Sequence, residues 1–414
     1  MKYNLCLALA LLAPAAVLAT NYDEAKVGDY TLPNPLVCTD GSRVTNSESW
    51  TQKRRPEILE LYRENIFGRS PAAGTNVTFN IWETSTNALG GAAIRKQVEI
   101  NFSGTPDGPF AHLLLYTPAG KISAPTFLCL SFTGNYAAND DPAIAIFPEW
   151  NWKTKNFGMP KNPVRGSAAR NWKIAEAIAR GYGVAIVNYQ EIEPDLPNGA
   201  GFKSGVHKNF PASQKNEWGA IGAWAWGASR ALDYLQTDKD VDAQRVILFG
   251  HSRLGKTVLW AGAQDTRFAA VIANGSGEMG AAFSRRDYGE TVDDVAKHFP
   301  YWMAGNFQKY AQHWNDLPVD SHFLISLIAP RPLFLNSGSE DKWGDPHGEF
   351  LAAHAATPVY ELFGKTGITE TNFPPFDEPL KHDIWLNCHV GKHDVLPSDW
   401  DKFLDFADAH FAKK

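Results

Sequence analysis

Short apolar runs alternate with helical segments through most of the chain, and this alternation constrains the fold more than any other feature of the sequence. Helical patterns over 168–180, 217–236 and 256–263 lie between the apolar runs. The runs have the composition of buried strands and cover 111–116, 126–132, 184–188, 245–249, 270–273, 333–336 and 384–388. Continuous apolar strands separated by amphipathic helices predict a mostly parallel sheet with helices on both faces. The expected fold class is therefore an α/β three-layer sandwich.

The N-terminus has the features of a signal peptide. Lys2 supplies a positive charge, residues 5–18 are apolar, and Val17 and Ala19 are the small residues that a signal peptidase reads. We therefore expect a signal peptide over 1–19, cleaved after Ala19. No later stretch approaches the roughly 20 apolar residues that a bilayer crossing needs. The mature protein is predicted to be secreted or periplasmic, with no membrane anchor.

The rest of the chain, 20–414, is predicted to form a single catalytic domain. Residues 20 to about 90 are rich in Pro, Asn and Ser and contain one convincing helix, at 56–66, which is typical of an N-terminal wrap. Two long irregular stretches, 134–166 and 189–216, exceed the usual loop length in compact domains. We expect these two stretches to shape a functional site.

Charge and motif content exclude several classes of function. Lys and Arg total 39 against 45 Asp and Glu, a net charge of −6, without the basic surplus expected of a nucleic-acid-binding protein. The sequence lacks a His-Glu-x-x-His run, paired Cys spacing and a Gly-rich phosphate loop after the first strands. We therefore expect no metal, no cofactor and no nucleic-acid partner. The mature cysteines Cys38, Cys129 and Cys388 allow one disulfide at most.

A serine motif at 245–256 carries the sharpest chemical signal. The segment reads as a strand that passes through a tight turn, Gly250-His-Ser-Arg, directly into a helix. A serine on such a turn exposes its hydroxyl above the strand end, as in the nucleophile elbow of α/β-hydrolases. The spacing departs from G-x-S-x-G, because Leu254 occupies the second glycine position and Gly255 follows it. Ser252 is therefore a candidate nucleophile, with an ordinary helix N-cap as the alternative.

A base for this serine is expected near the C-terminus, because α/β-hydrolases carry their triad in the order Ser, acid, His. His393 lies on the loop after the last predicted strand, whereas His389 and His382 lie in or before that strand and are worse placed. A histidine on this loop can reach over the strand ends toward Ser252. His393 is therefore the candidate base.

The acid should orient the imidazole and stabilise the imidazolium. Asp341 lies on the loop after the strand at 333–336, with Glu340 and Asp345 as neighbouring rivals. Glu278, after the preceding strand, is the main competitor. Topology favours Asp341.

Five motifs together resemble the bacterial glucuronoyl esterases of carbohydrate esterase family 15. They are Gly250–Lys256, Ser284–Glu290, Ala329–Pro332, Glu340–Trp343 and Gly391–Asp394. The resemblance runs from about Ala111 to the C-terminus and also explains the elbow, since this family places its second glycine one residue late. It implies an α/β-hydrolase that cleaves the ester between glucuronic or 4-O-methylglucuronic acid on xylan and a lignin-type alcohol, with no cofactor.

The resemblance also assigns roles, residue by residue. It implies Ser252 as nucleophile, His393 as base and Arg253 as the donor to the oxyanion. It further implies that Lys256, Glu290 and Trp343 bind the glucuronate ring. Solvated first-turn charges are the alternative for Arg253 and Lys256, and an exposed aromatic for Trp343.

One position departs from the fungal pattern. Fungal members carry a triad Glu after the strand that here ends at Asn274, where this sequence has Gly275-Ser276. Asp341 is therefore expected to take that role.

The expected function is a secreted serine esterase that cleaves glucuronoxylan or lignin-carbohydrate esters through an acyl-enzyme, acting as a monomer. Two alternatives stay open: a carbohydrate acetyl esterase of the acetyl xylan esterase type, and a catalytically inactive glycan-binding α/β-hydrolase.

Overall fold

A ten-stranded sheet forms the centre of the molecule, with strand order β1-β2-β3-β7-β4-β8-β9-β10-β12-β11. A separate two-stranded hairpin pairs β5 with β6. The strands are β1 (Thr78–Ala88), β2 (Ala93–Asn101), β3 (Phe110–Pro118), β4 (Ala124–Ser131), β5 (Glu149–Asn151), β6 (Asn156–Gly158), β7 (Gly183–Asn188), β8 (Val241–His251), β9 (Ala270–Asn274), β10 (Leu333–Gly338), β11 (Leu380–Lys381) and β12 (Ile384–His389). This computed structural model describes residues 20–72, 76–151, 156–210 and 216–412, and the predicted signal peptide over 1–19 lies outside them.

The central strands β7, β4, β8, β9, β10 and β12 run parallel to one another. On one edge β1, β2 and β3 pair antiparallel, and on the other edge β11 pairs antiparallel with β12. The carboxyl ends of the parallel strands therefore meet at a single edge of the sheet, where ligands of open α/β sheets bind.

Helices cover both faces of the sheet. The helices are α1 (Ser47–Ser49), which a π-helical turn (Trp50–Arg54) joins to α2 (Arg55–Asn65), and α3 (Ile174–Ala179), α4 (Tyr189–Ile192), α5 (Ala220–Leu235), α6 (Arg253–Gln264), α7 (Val292–His298), α8 (Ser321–Ser326), α9 (Pro346–Glu361) and α10 (Pro397–Phe411). Along β4, Leu128 and Leu130 pack into a core with α2, α5, α6, α8 and α9. Phe127 and Cys129 of the same strand pack into a second core with α3 and α10. Alternate residues of a strand face opposite sides of a sheet, so the three-layer α/β-hydrolase architecture is confirmed.

Three local predictions differ from the structure. The strand β1 was not predicted because it is largely exposed and polar and lacks an apolar run. The strand β2 is mostly buried, but the polar side chains of Arg95, Lys96 and Gln97 interrupt its apolar residues. The predicted helix over 168–180 is interrupted, since Lys173 has a left-handed backbone (φ 33°) between a 3₁₀ turn at Ala169–Asn171 and α3. The helix predicted from 256 begins earlier, at Arg253, directly after the serine turn.

The N-terminal segment packs across the core that contains α2. Tyr62 is buried there and its hydroxyl donates to the Asp320 carbonyl (3.0 Å), while Arg55 Nη2 donates to the Ala263 carbonyl (2.7 Å). The division into one catalytic domain with an N-terminal wrap over about 20–90 stays a prediction. The three cysteines of the described ranges are buried and free. Across these same ranges, no helix is both long enough and apolar enough to cross a bilayer.

Candidate active site

Ser252 lies on a strained turn between β8 and α6. Its backbone has φ 60° and ψ −129°, a conformation that costs a non-glycine residue on the order of 1–3 kcal/mol. Surrounding backbone hydrogen bonds hold the turn, because Ser252 N donates to the Asn274 carbonyl (2.8 Å) and Gly255 N donates to the Ser252 carbonyl (2.7 Å). The turn therefore fixes the serine at the carboxyl ends of the parallel strands.

The late glycine of the motif has a steric reason. A Cβ at Gly255 would lie 3.0 Å from the Asn274 carbonyl oxygen and 3.0 Å from Ser276 Cβ. A Cβ at Gly250 would lie only 2.2 Å from the Leu254 carbonyl oxygen. A side chain at either position would therefore clash or crowd its neighbours, whereas residue 254 points a leucine into the core.

The imidazole of His393 is paired with Asp341. His393 Nδ1 lies 2.5 Å from Asp341 Oδ2, and Asp341 is buried whereas the His393 side chain is 40% exposed. An Nδ1–H donated to the carboxylate leaves Nε2 as the basic nitrogen. His393 and Ser252 line the same cavity.

The rival acids and histidines lie elsewhere. Glu278 is wholly buried, and this burial raises the pKa of its carboxyl well above the ordinary range. Its Oε1 has no hydrogen-bond partner within the described ranges. Glu340 is exposed. The others have different partners: Asp345 binds Arg286, His389 binds Asp399 and His382 binds Glu370.

Arg253 follows the serine and lines the same cavity. Its guanidinium stacks over the ring of Trp302, with Cζ 4.8 Å from the centroid, and 5.7 Å from the Phe132 centroid. Nη1 donates to the buried carboxylate of Asp195. Asp195 lies within the irregular stretch 189–216, which the sequence predicted would shape a site, but no local motif distinguished this carboxylate from others.

The three predicted ring-binding residues also line this cavity. Lys256 is buried, and its Nζ donates to the carbonyls of Ser276 (2.8 Å) and Glu278 (2.6 Å) and to Glu290 Oε2 (3.0 Å). An ammonium has three protons, and these three protein oxygens accept all of them. Lys256 thus holds Glu290 in the cavity, and the predicted binding of the glucuronate ring by Lys256 stays a prediction. Trp343 is 40% exposed where it lines the cavity.

A row of buried amides lies beneath the site, and sequence reasoning did not identify it. Asn387 Nδ2 donates to Asn336 Oδ1 (2.7 Å), and Asn336 in turn donates to Asn274. Asn274 Nδ2 lies 2.6 Å from His251 Nδ1. Burial and the neighbouring His393 lower the pKa of His251 to about 3, so His251 stays neutral beneath the candidate base. The register of β12, β10, β9 and β8 produces this row.

The cavity thus combines a hydroxyl on a strained turn, an imidazole with a carboxylate partner, and a fixed guanidinium. This is the set of groups that acyl transfer requires: a nucleophile, a base with its orienting acid, and a donor for developing negative charge. Within the described part of the chain, no cluster of three or more His, Cys, Asp or Glu side chains could hold a metal ion.

Comparison with known proteins gives consistent matches. Residues 171–364 match the family described as "Glucuronyl esterase, fungi". The chain is 46% identical over 397 residues to carbohydrate esterase MZ0003 from an unknown prokaryotic organism, covering 94% of this chain and 92% of that protein.

Two solved structures are similar over nearly the whole chain. A glucuronoyl esterase from Solibacter usitatus superposes with a TM-score of 0.90 at 46% identity, covering 94% of this chain and 100% of that one. A promiscuous CE15 esterase from a marine bacterial metagenome superposes with a TM-score of 0.88 at 45% identity, covering 95% of this chain and 100% of that one.

Proposed function

Because the chain belongs to the glucuronoyl esterases of carbohydrate esterase family 15 and is a carboxylic ester hydrolase, we propose that Ser252 is its nucleophile. The substrate is an ester between the carboxyl group of glucuronic or 4-O-methylglucuronic acid and an alcohol. The observation that carries this proposal is the convergence of Ser252, Arg253 and His393 on one cavity, with Asp341 bonded to the far side of the imidazole.

The reaction proceeds in two steps. Ser252 Oγ attacks the ester carbonyl carbon while His393 Nε2 takes its proton, and the resulting oxyanion is stabilised by Arg253. Collapse of this intermediate breaks the bond to the alcohol, which leaves with the proton from His393. Water then attacks the acyl carbonyl carbon while His393 takes its proton. Collapse of this second intermediate breaks the bond to Ser252 Oγ, which receives the proton from His393, and the free uronic acid leaves. Asp341 keeps the imidazole in the required tautomer throughout.

The sugar lies on the acyl side of the ester bond. Glu290, held by Lys256, accepts hydrogen bonds from ring hydroxyls, and the exposed indole of Trp343 packs against the ring. An acetyl esterase would instead hold its sugar on the alcohol side and would have no use for a ring-binding set beside the acyl carbon.

The natural substrate proposed is glucuronoxylan esterified to lignin-type alcohols, cleaved outside the cytoplasm after removal of the signal peptide over 1–19. This proposal rests on the sequence features of residues 1–19 and on the family. It implies that the mature enzyme begins near residue 20.

A second activity merits testing. One relative, 45% identical to this chain, is described as a promiscuous CE15 esterase. That description is consistent with a broader range of esters, and cleavage of acetyl esters on carbohydrates is the alternative that the sequence analysis left open. The inactive glycan-binding alternative has no support in a cavity with serine, histidine and aspartate all present.

The test compares hydrolysis of benzyl glucuronate with release of acetate from an acetylated xylo-oligosaccharide. Ser252→Ala should abolish the first activity, while Ser85→Ala on the edge strand β1 serves as the matched control and should retain it. Acetate release without glucuronate ester cleavage would refute the proposed substrate. Glucuronate ester cleavage that persists in Ser252→Ala would refute the proposed nucleophile.

A further inference from the structure

Asp195 is a fully buried carboxylate that four hydrogen-bond donors surround. Tyr189 Oη donates to Oδ2 (2.9 Å), and Arg253 Nη1 donates to the same oxygen. Tyr301 Oη (2.7 Å) and Trp302 Nε1 (2.9 Å) donate to Oδ1. Asp195 has no solvent exposure. Because a buried carboxylate is costly unless it is paired and hydrogen-bonded, this complete set of donors indicates a built arrangement.

The arrangement holds Arg253 in one orientation. Its guanidinium is fixed at one end by Asp195 and along its plane by the rings of Trp302 and Phe132. Nε of Arg253 is buried and has no hydrogen-bond partner among the described residues. The guanidinium therefore retains donor capacity that the protein does not use, next to Ser252 in the cavity.

A carboxylate beside the oxyanion donor also carries an electrostatic cost. A bare negative charge would cancel much of the field that Arg253 exerts on a developing oxyanion. The two tyrosine hydroxyls and the indole N–H are neutral donors, and each draws charge density from Asp195 without adding a competing cation. Asp195 can then anchor the guanidinium while Arg253 keeps a strong positive field toward the cavity.

We propose that Asp195 is a positioning residue for catalysis, which acts by holding the Arg253 guanidinium as the oxyanion donor. The inference rests on the proposed function, specifically on the oxyanion role of Arg253. It adds to that function a residue from the stretch that the sequence predicted would shape a site, and it gives the buried Asp195 a use beside Ser252.

A double-mutant cycle tests the inference with benzyl glucuronate as substrate. Asp195→Asn keeps the side-chain shape and should lower kcat about tenfold or more with KM within about twofold, because the lost stabilisation belongs to the transition state. In the Arg253→Ala background, the same Asp195→Asn change should alter kcat less than about twofold. A purely structural role would lower kcat equally in both backgrounds, and that result would overturn the inference.

The cycle separates this inference from the proposed function. Full activity in Arg253→Ala would remove the oxyanion role on which both rest. Loss of activity in Arg253→Ala, together with an unchanged kcat in Asp195→Asn, would overturn the inference and leave the proposed function standing.

If Asp195→Asn does not fold, a milder pair of variants tests whether Asp195 is a positioning residue. Tyr301→Phe removes one hydrogen bond from Asp195. Tyr234→Phe removes the equivalent hydrogen bond (2.6 Å) from the buried Asp238, which lies just before β8, at the amino ends of the parallel strands and away from the site. Tyr301→Phe should lower kcat about twofold to fivefold, whereas Tyr234→Phe should leave kcat unchanged. Equal kcat values in the two variants would overturn the inference.

Discussion

Gly275 lies directly against the candidate base, so Gly275→Ala should lower kcat in addition to costing backbone stability. The residue follows β9 with φ +54°, and a Cβ there would lie 3.0 Å from both Cε1 and Nδ1 of His393. Nδ1 is the atom that bonds Asp341 at 2.5 Å. The added methyl group therefore pushes on the same edge of the imidazole that the carboxylate holds.

The expected magnitude has two parts. A left-handed backbone costs a non-glycine residue about 1–2 kcal/mol of stability. Ordinary contacts to a Cβ lie at 3.4–4 Å, so the imidazole must move by several tenths of an ångström to accommodate the methyl group. Since a misplacement of about 1 Å can cost a hundredfold in rate, we expect kcat to fall about tenfold to hundredfold.

Gly364 provides the matched control. It has a similar backbone, φ +67°, but a Cβ there would meet no atom within 4 Å. Gly364→Ala should therefore lose the same backbone stability and keep wild-type kcat. Steady-state kinetics on benzyl glucuronate and thermal unfolding of both variants test this expectation. A Gly275→Ala kcat within about twofold of the Gly364→Ala value would refute the argument that residue 275 must be glycine to admit the imidazole.

Three further predictions follow from the site. Asp341→Ala should lower kcat by about 10²-fold or more, whereas Glu278→Gln should stay near wild type, because Asp341 is the acid that bonds His393. Equal losses in the two variants would contradict this assignment. Burial raises the pKa of Glu349 from 4.5 to about 8. The folded protein therefore keeps a proton that the unfolded chain releases, and the unfolding free energy should fall as pH rises from about 4.5 to about 8. Urea unfolding across that range should show a flatter pH dependence for Glu349→Gln, and identical slopes would contradict the shift. Trp343→Ala should raise KM about tenfold, equivalent to about 1.4 kcal/mol, with kcat nearly unchanged; a loss confined to kcat would argue against ring binding.

The parallel strands could be predicted from the sequence because they are buried on both faces. Residues that contact helices on both sides must be apolar throughout, so the runs at 126–132 and 245–249 stand out against the helices between them. The edge strand β1 has no such requirement. Most of its side chains are exposed, and its pairing with β2 depends on backbone hydrogen bonds that leave no apolar pattern.

The order Ser252, Asp341, His393 along the chain was also open to prediction, since each follows a recognisable parallel strand and such strand ends share one edge of the sheet. Which acid bonds the histidine was not settled by this reasoning. Glu278 and Asp341 both follow parallel strands, but the loops that carry them take different paths. The loop after β10 turns Asp341 toward His393, whereas the loop after β9 buries Glu278.

Local patterns therefore specified the elements and the chemistry available at their ends, because apolar periodicity and turn residues act over a few positions in the chain. Asp195, the amide row ending at His251, and the orientation of Glu290 by Lys256 depend on packing between segments far apart in sequence. Arg253 and Asp195 are 58 residues apart, and their hydrogen bond forms only when the tertiary fold brings residue 195 next to the start of α6. Long-range contacts of this kind follow from how the layers pack, so they became visible in the three-dimensional structure and not in any segment of the sequence.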